Sequence, residues 1–223
     1  MKKIKSILAL FIVVMLITSC KKNFRCGDTI TDIDGNVYNT VNIGNQCWMQ
    51  ENLKTRHYND GTELESDLTN LVWSNITTGA YCFYDENADN DAVYGKLYNW
   101  LAVKSNKIAP KGWHVPSDAE WTKLIDNLGG QLVAGNKMKS TTQWREYIGI
   151  TNTNSSGFTA LPAGTRFNNG SFTTMGEDCA FWSSTEFDSN DAYLHSLSFA
   201  QPSISRFTYG SKISGFSIRC VKD

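Results

Sequence analysis

The stretch Gly112-Trp113-His114-Val115-Pro116-Ser117-Asp118-Ala119-Glu120-Trp121 places a proline directly before a helix start. Ser117 and Glu120 are three residues apart, which is the spacing of a capping box. Trp121, Leu124, Ile125 and Leu128 follow at helical intervals, and Gly129-Gly130 ends the pattern. We therefore predict a helix that begins after Pro116, ends before Gly129 and packs one face on the core.

A second helical pattern lies upstream, and the outer parts of the chain are typical of β-structure. Tyr94, Leu97, Tyr98 and Leu101 are spaced i, i+3, i+4, i+7, which predicts a helix from Gly95 to about Ser105. Asp34-Gly35 lies between β-formers and predicts a hairpin. Short β-type runs recur in a loop-rich C-terminal half. The pattern predicts one α+β domain with two main helices and an antiparallel sheet, in which N-terminal strands lie near C-terminal ones.

The composition is that of a compact globular chain. Aromatic residues make up 12% of the 223 residues, charged residues only 19%, and the formal net charge is −1. No basic stripe is present, so we do not expect a nucleic-acid partner.

The first twenty residues resemble the signal of a bacterial lipoprotein. Met1-Lys2-Lys3-Ile4-Lys5 is cationic, and the apolar run from Ile7 to Ile17 is too short for a permanent span. Leu16-Ile17-Thr18-Ser19-Cys20 resembles a lipobox. We predict a signal peptide over 1–19, a lipidated Cys20 with a short tether over 20–29, and a folded domain over 30–223. Acyl chains such as palmitate on Cys20 imply a cell-envelope protein held on a membrane, expected to be the outer membrane, with its exposed side left open.

Five cysteines remain after Cys20, so at least one thiol is free or joins two chains. An exported protein favours disulfides, and Cys26–Cys47 and Cys179–Cys220 are the candidate pairs. The sequence does not fix their connectivity. Arg219, inside a β-type run, is predicted to pair with a buried carboxylate.

Seven ordered motifs closely resemble the Fibrobacter succinogenes major paralogous domain, a family common in lipoproteins and secreted proteins of Bacteroidota and Fibrobacter. They begin at Asp32, Ile43, Tyr94, Gly112, Gly157, Trp182 and Gly215. The resemblance implies a C-type-lectin-like fold related to that of formylglycine-generating enzymes. Members often carry a cysteine where this chain has Ala109, which implies that Cys179 substitutes as the partner of the terminal cysteine.

The acidic run from Asp85 to Asp91 is the candidate metal site. Asp85, Asn87 and Asp89 match the first alternating ligands of an EF-hand loop, and Asp91 continues the run. Asn90 replaces the required glycine and Lys96 the bidentate glutamate, so a solvated acidic loop is the alternative to calcium. We predict no other cofactor.

The last third of the chain carries the candidate ligand residues, which are Tyr193, His195, Phe199, Arg206 and Tyr209. Alternation puts Tyr193, His195 and Phe199 on one face of a strand, where they either cover the core or contact a ligand. Because no catalytic constellation is evident, we predict a non-catalytic binding or adhesion module for an extracellular polysaccharide or protein. The alternatives are an envelope enzyme acting on glycans or thiols and a structural part of a surface assembly. The calcium–sugar signature of C-type lectins is absent.

Overall fold

The computed structural model describes residues 23–223. The predicted signal peptide and Cys20 lie outside the described residues. From residue 23 onward, no helix combines the length and the apolar character that a bilayer span requires.

Within these residues, five α-helices and a 3-10 turn (Tyr84–Glu86) alternate with thirteen strands. The helices are α1 (Asn70–Trp73), α2 (Asp89–Tyr94), α3 (Trp100–Lys104), α4 (Asp118–Asn127) and α5 (Gln131–Met138). The strands are β1 (Ile30–Thr31), β2 (Val37–Tyr38), β3 (Thr40–Ile43), β4 (Gln46–Met49), β5 (Tyr81–Cys82), β6 (Leu97–Tyr98), β7 (Trp113–His114), β8 (Thr165–Arg166), β9 (Phe172–Thr173), β10 (Asp178–Glu186), β11 (Asp191–Ser198), β12 (Ile204–Ser211) and β13 (Val221–Lys222).

The predicted helix after Pro116 is confirmed as α4. The Ser117 hydroxyl accepts a hydrogen bond from the Glu120 amide, and the Glu120 carboxylate accepts one from the Ser117 amide, so the capping box is complete. Trp121, Leu124 and Ile125 are buried along one face. Local sequence decided this element, because both the cap and the apolar stripe are encoded within twelve residues.

Two antiparallel sheets organise the domain, which confirms the α+β class. The first has the order β3-β4-β13-β7, so the last strand lies between the N-terminal hairpin and β7. Val221 pairs with Trp48 on one side and with His114 on the other. The prediction that N-terminal and C-terminal strands lie together is therefore confirmed. The second sheet is the meander β10-β11-β12.

Strand β10 of the meander is buried on both faces because its side chains alternate between two core clusters. Ala180 and Trp182 of β10 belong to a cluster with Tyr98 and Ile218. Cys179 and Phe181 of the same strand belong to another, together with Trp48 and Trp121. The period of two along a strand sends neighbouring residues to opposite faces. A smaller third cluster surrounds Trp73.

The helix predicted from Gly95 to Ser105 is wrong in its first half. Leu97 and Tyr98 form strand β6 against β5, and the helix proper begins at Trp100. The amide of Tyr98 donates to the carbonyl of Phe216, and the Asn99 side chain caps α3 by accepting from the Ala102 amide. Tertiary strand pairing therefore outweighs the helical spacing of the apolar residues. Of the five described helices the two longest are α4 and α5, so the second main helix is not the one predicted.

The disulfide between Cys26 and Cys47 is confirmed, whereas the one between Cys179 and Cys220 is wrong. Both of these cysteines are free and buried, as is Cys82. Cys179 lies in the cluster with Trp121, and Cys220 lies in the cluster with Trp182. Because the two thiols lie in separate core clusters, the predicted pair does not meet.

Arg219 is completely buried, and no carboxylate of residues 23–223 lies at ion-pair distance from it, contrary to the sequence-based prediction. Its guanidinium donates to the Asn52 side-chain oxygen at 2.7 Å and to the carbonyls of Met49, Phe158 and Thr159 at 2.5–3.0 Å. The carbon of the guanidinium lies 4.4 Å from the centre of the Phe158 ring. One side chain thereby joins the N-terminal hairpin, the central loop and the C-terminal strand.

Candidate functional site

A cleft of about 600 Å³ opens between the segment 141–152 and Phe199. We call it the aromatic cleft; it is lined by Thr141, Thr142, Gln143, Trp144, Arg145, Glu146, Tyr147, Ile150, Thr151, Asn152 and Phe199. Its volume lies within the range of roughly 300–1,000 Å³ that is usual for small-molecule sites. The chain therefore has a concavity large enough for a ligand of several rings.

The inner wall of the aromatic cleft is Trp144, whose ring is held by contacts with Ala160 and Lys139. Its indole N–H donates to the carbonyl of Ala160 at 2.9 Å, and only 9% of the residue is exposed. The buried Lys139 ammonium lies 5.3 Å from the centre of the ring and donates to the carbonyls of Ser198 and Gln201 at 2.9 and 2.7 Å. These bonds tie the turn that carries Phe199 to the wall formed by Trp144.

The rim of the aromatic cleft is formed by two rings and an ion pair. Tyr147, 53% exposed, meets Phe199 edge-to-face with 5.5 Å between ring centres. The Arg145 guanidinium carbon lies 5.1 Å from the centre of the Phe199 ring, and its Nη1 lies 2.5 Å from Glu177 Oε1. The Phe199 amide donates to the Glu177 carbonyl at 2.7 Å. Phe199 is thus held in place before any ligand arrives, and the Tyr147 ring packs against it.

Apart from Ile150, the remaining lining is polar and close to neutral. Arg145 and Glu146 are its two charged side chains, and hydroxyls and amides supply the other polar groups. Gln143 has a φ of 75°, a left-handed backbone that is costly for a residue other than glycine and that recurs at functional sites. Asn152 Oδ1 is buried and accepts no hydrogen bond from the described residues. Such a lining can exchange hydrogen bonds with a hydroxylated ligand.

Only Phe199 of the predicted ligand residues lines the aromatic cleft. Tyr193 and Arg206 lie toward the other end of β11, where the guanidinium carbon stacks 4.4 Å from the centre of the tyrosine ring. Arg206 also makes two hydrogen bonds to Asp118, at 2.7 and 2.8 Å. Tyr209 is 67% exposed and packs against Phe207. The structure therefore divides these residues between separate surfaces.

His195 is fully buried, so of the two alternatives given for this strand face it covers the core. It stacks on Trp121 with 4.9 Å between ring centres, and its Nε2 lies 3.2 Å from Asp118 Oδ1. Burial lowers the pKa of His195 despite the bond to Asp118. Helix α4 covers this part of β11, and alternation within a strand gives no information about a helix distant in sequence.

The acidic loop does not converge on a metal position. Asn87 Oδ1 accepts from the Asp89 amide, and Asp91 Oδ2 is 2.6 Å from the Lys96 ammonium. Asp85 has a left-handed φ of 55°. Across the described part of the chain, no group of three or more His, Cys, Asp or Glu residues is arranged to hold a metal ion.

Sequence reasoning missed Trp144, Arg145, Tyr147 and Asn152. The available signal was a pair of aromatic residues inside an otherwise polar loop, Gln143-Trp144-Arg145-Glu146-Tyr147. Nothing local indicated that Phe199 would face them.

The motifs that frame this fold match a known family over most of the chain. The model of the Fibrobacter succinogenes major domain matches residues 41–222. The chain belongs to the Fibrobacter succinogenes major domain family. No curated protein and no solved structure matches it. A C-type-lectin-like relationship of the Fibrobacter succinogenes major domain therefore stays a prediction.

In this Fibrobacter succinogenes major domain, the Trp113-His114 motif supports the structure through a clamp. His114 Nε2 lies 2.9 Å from Glu120 Oε1, and Nδ1 lies 2.7 Å from Asp223 Oδ1. Burial opposes protonation, but the hydrogen bonds to Asp223 and Glu120 outweigh it and raise the pKa of His114. A protonated imidazole donates to both carboxylates and joins β7, α4 and the residue after β13.

Replacing His114 by glutamine is expected to lower the free energy of unfolding by roughly 1 kcal/mol in mild acid, the upper range for partly exposed ion pairs. Because the folded-state pKa is raised, this stabilisation is complete below the unfolded pKa of about 6.5 and is lost as the pH rises through the folded value. Urea unfolding at about pH 5.5 and about pH 8.5 measures it. If the difference in unfolding free energy between wild type and His114→Gln grows with pH, the role proposed for His114 is contradicted. Asp223→Asn, which removes one of the two carboxylates bonded to His114, serves as the comparison variant.

Proposed function

We propose that this protein is a non-catalytic binding module of the cell envelope, anchored through a lipid on Cys20, whose aromatic cleft takes an extracellular polysaccharide. The observation that carries the proposal is the preformed pair of Tyr147 and Phe199 beside a polar, nearly neutral lining. The family match over residues 41–222 shows the domain to which this cleft belongs.

A neutral sugar chain fits this lining better than a charged peptide does. Sugar rings offer apolar C–H faces to aromatic rings and hydroxyl edges to amides and hydroxyls. The acceptor Asn152 Oδ1 lacks a donor, which a sugar hydroxyl supplies. Arg145 is already paired with Glu177, so the cleft offers no free cation to an acidic peptide.

The free cysteines favour neither thiol catalysis nor a covalent assembly. Burial raises the pKa of Cys82 to about 12 and also raises that of Cys179 and Cys220, so thiolates are scarce at neutral pH. All three thiols are buried. A disulfide between two chains therefore requires local unfolding first.

The proposal is tested with the chain from residue 20, carrying Cys20→Ser, on an array of neutral polysaccharides followed by calorimetry of any hit. Tyr147→Ala and Phe199→Ala are each expected to weaken binding about tenfold, as expected for aromatic anchors. Tyr209→Ala removes a ring that is more exposed than Tyr147 and lies outside the cleft, and it is expected to leave the affinity unchanged.

Three results contradict the proposal. They are the absence of any glycan bound at sub-millimolar affinity, glycan binding that Tyr209→Ala abolishes and Tyr147→Ala spares, and a protein ligand captured from envelope extracts through the same cleft. Circular dichroism of each variant checks that folding is intact.

A further inference from the structure

The first described residues are held against one end of the domain. The Phe24 ring packs edge-to-face on Trp113 with 5.7 Å between ring centres, and the Lys222 ammonium lies 5.5 Å from the centre of the Phe24 ring. Two residues later, Cys26 is bonded to Cys47. The tether therefore leaves the domain beside β4, β7 and β13.

The tether is short. Cys20 precedes Phe24 by four residues, which span at most about 14 Å when fully extended. If Cys20 is acylated, the end of the domain that carries Phe24 and Lys222 lies close to the lipid surface.

A charged cleft of about 350 Å³ opens at this same end. It is lined by Asn45, Gln46, Cys47, Glu120, Lys123, Val221, Lys222 and Asp223. Both carboxylates are bonded to His114. Within residues 23–223, neither Lys123 nor Lys222 has a carboxylate at ion-pair distance. Glu120 and Asp223 are thus paired with His114, whereas the ammonium groups of Lys123 and Lys222 can bind an anion.

A buried amide supplies a second observation. Gln46 is 9% exposed; its Nε2 donates to the Glu120 carbonyl at 3.3 Å, but its Oε1 finds no donor in the described chain. An unpaired buried acceptor is costly, and a ligand with a hydroxyl would satisfy it. The cleft thus combines free cations with an unfilled acceptor.

We propose that this charged cleft docks on the membrane that holds the anchor, and that Lys123 and Lys222 bind the phosphate of anionic lipid headgroups bearing hydroxyls. The proposal rests on the proposed lipid anchor. It orients the domain: the end with Phe24 and Lys222 faces the bilayer. Docking is electrostatic and therefore weakens with salt.

The test uses the chain from residue 20 with Cys20→Ser, so that binding is measured without the acyl chains. The protein is sedimented with vesicles of phosphatidylcholine alone or of phosphatidylcholine with phosphatidylglycerol. We expect binding to the mixed vesicles only. Each basic residue at an anionic surface strengthens binding about fivefold, so Lys123→Gln with Lys222→Gln is expected to reduce it about 25-fold.

The matched control is Lys104→Gln with Arg56→Gln, which removes the same charge from exposed positions outside the cleft. Equal loss in both double variants reduces the effect to net charge and overturns the proposal, as does equal binding to both vesicle types. Displacement by inorganic phosphate that exceeds the effect of chloride at equal ionic strength identifies a free-phosphate site instead. The anchor is tested separately by the mass of the N-terminal peptide of the native protein, so the two failures are distinguishable.

Discussion

Replacing Arg219 by methionine is expected to lower the free energy of unfolding by roughly 4 kcal/mol, and urea titration of the soluble chain measures it. The variant keeps a similar volume but leaves the Asn52 amide oxygen, two buried carbonyls and the part-buried Thr159 carbonyl without this donor. Each unsatisfied buried acceptor costs roughly 1–3 kcal/mol, and partial rearrangement reduces the sum.

The charge itself is a smaller part of this effect. Burial lowers the pKa of Arg219 to about 10, so the guanidinium is still protonated at neutral pH. Arg219→Lys keeps the charge but lacks the planar fork that reaches several acceptors at once, and is expected to recover less than half of the loss. Arg145→Met, an exposed ion-pair partner, is expected to cost about 1 kcal/mol or less. A loss under about 1 kcal/mol for Arg219→Met contradicts a structural role for this network.

Removing the disulfide with Cys26→Ala and Cys47→Ala is expected to cost about 3 kcal/mol, the value for closing a loop of this length. The bridge joins residues 21 apart and fixes the first described segment to β4. The measurement is urea unfolding of wild type and double variant, with and without dithiothreitol.

The reduced wild type is expected to match the double variant, and reductant is expected to leave the double variant unchanged, because Cys82, Cys179 and Cys220 are already thiols. If the double variant also loses stability on reduction, a second bridge exists and the assignment of free cysteines is wrong. Cys82→Ala controls for the loss of a buried sulfur.

The same disulfide connects the fold with the proposed location. Disulfides such as Cys26–Cys47 persist in oxidising compartments and are rare in the cytosol. This bridge therefore agrees with the proposed export and with the proposed lipid on Cys20. It also fixes the charged cleft relative to the proposed anchor, because Cys47 lines that cleft. Loss of the bridge is therefore expected to loosen the orientation on the membrane more than the binding of a glycan in the aromatic cleft.

Elements whose sequence signals lie within a few neighbouring residues were predicted correctly. The capping box of α4 lies within four residues, and the hairpin of β1 and β2 surrounds Asp34-Gly35. Alternating apolar residues correctly indicated strands in the last third. The α+β class followed from these local patterns. Buried residues recur about every 3.6 residues in a helix and every second residue in a strand, so the spacing of apolar residues indicates the type of element.

Contacts between distant segments were decided by the tertiary structure alone. Leu97 and Tyr98 have helical spacing, yet they pair in a strand because β5 and Phe216 satisfy their backbone. His195 is covered by α4, and Cys179 and Cys220 are directed into different clusters. The aromatic cleft itself joins Trp144 and Tyr147 to Phe199, across some fifty residues. The sequence by itself determined the elements whose signals are local, namely α4 with its capping box and the hairpin of β1 and β2. The tertiary structure decided which faces of these elements pack together, and therefore where a cleft opens for a ligand. Such contacts join residues distant in sequence, so the spacing of residues within one element cannot predict them.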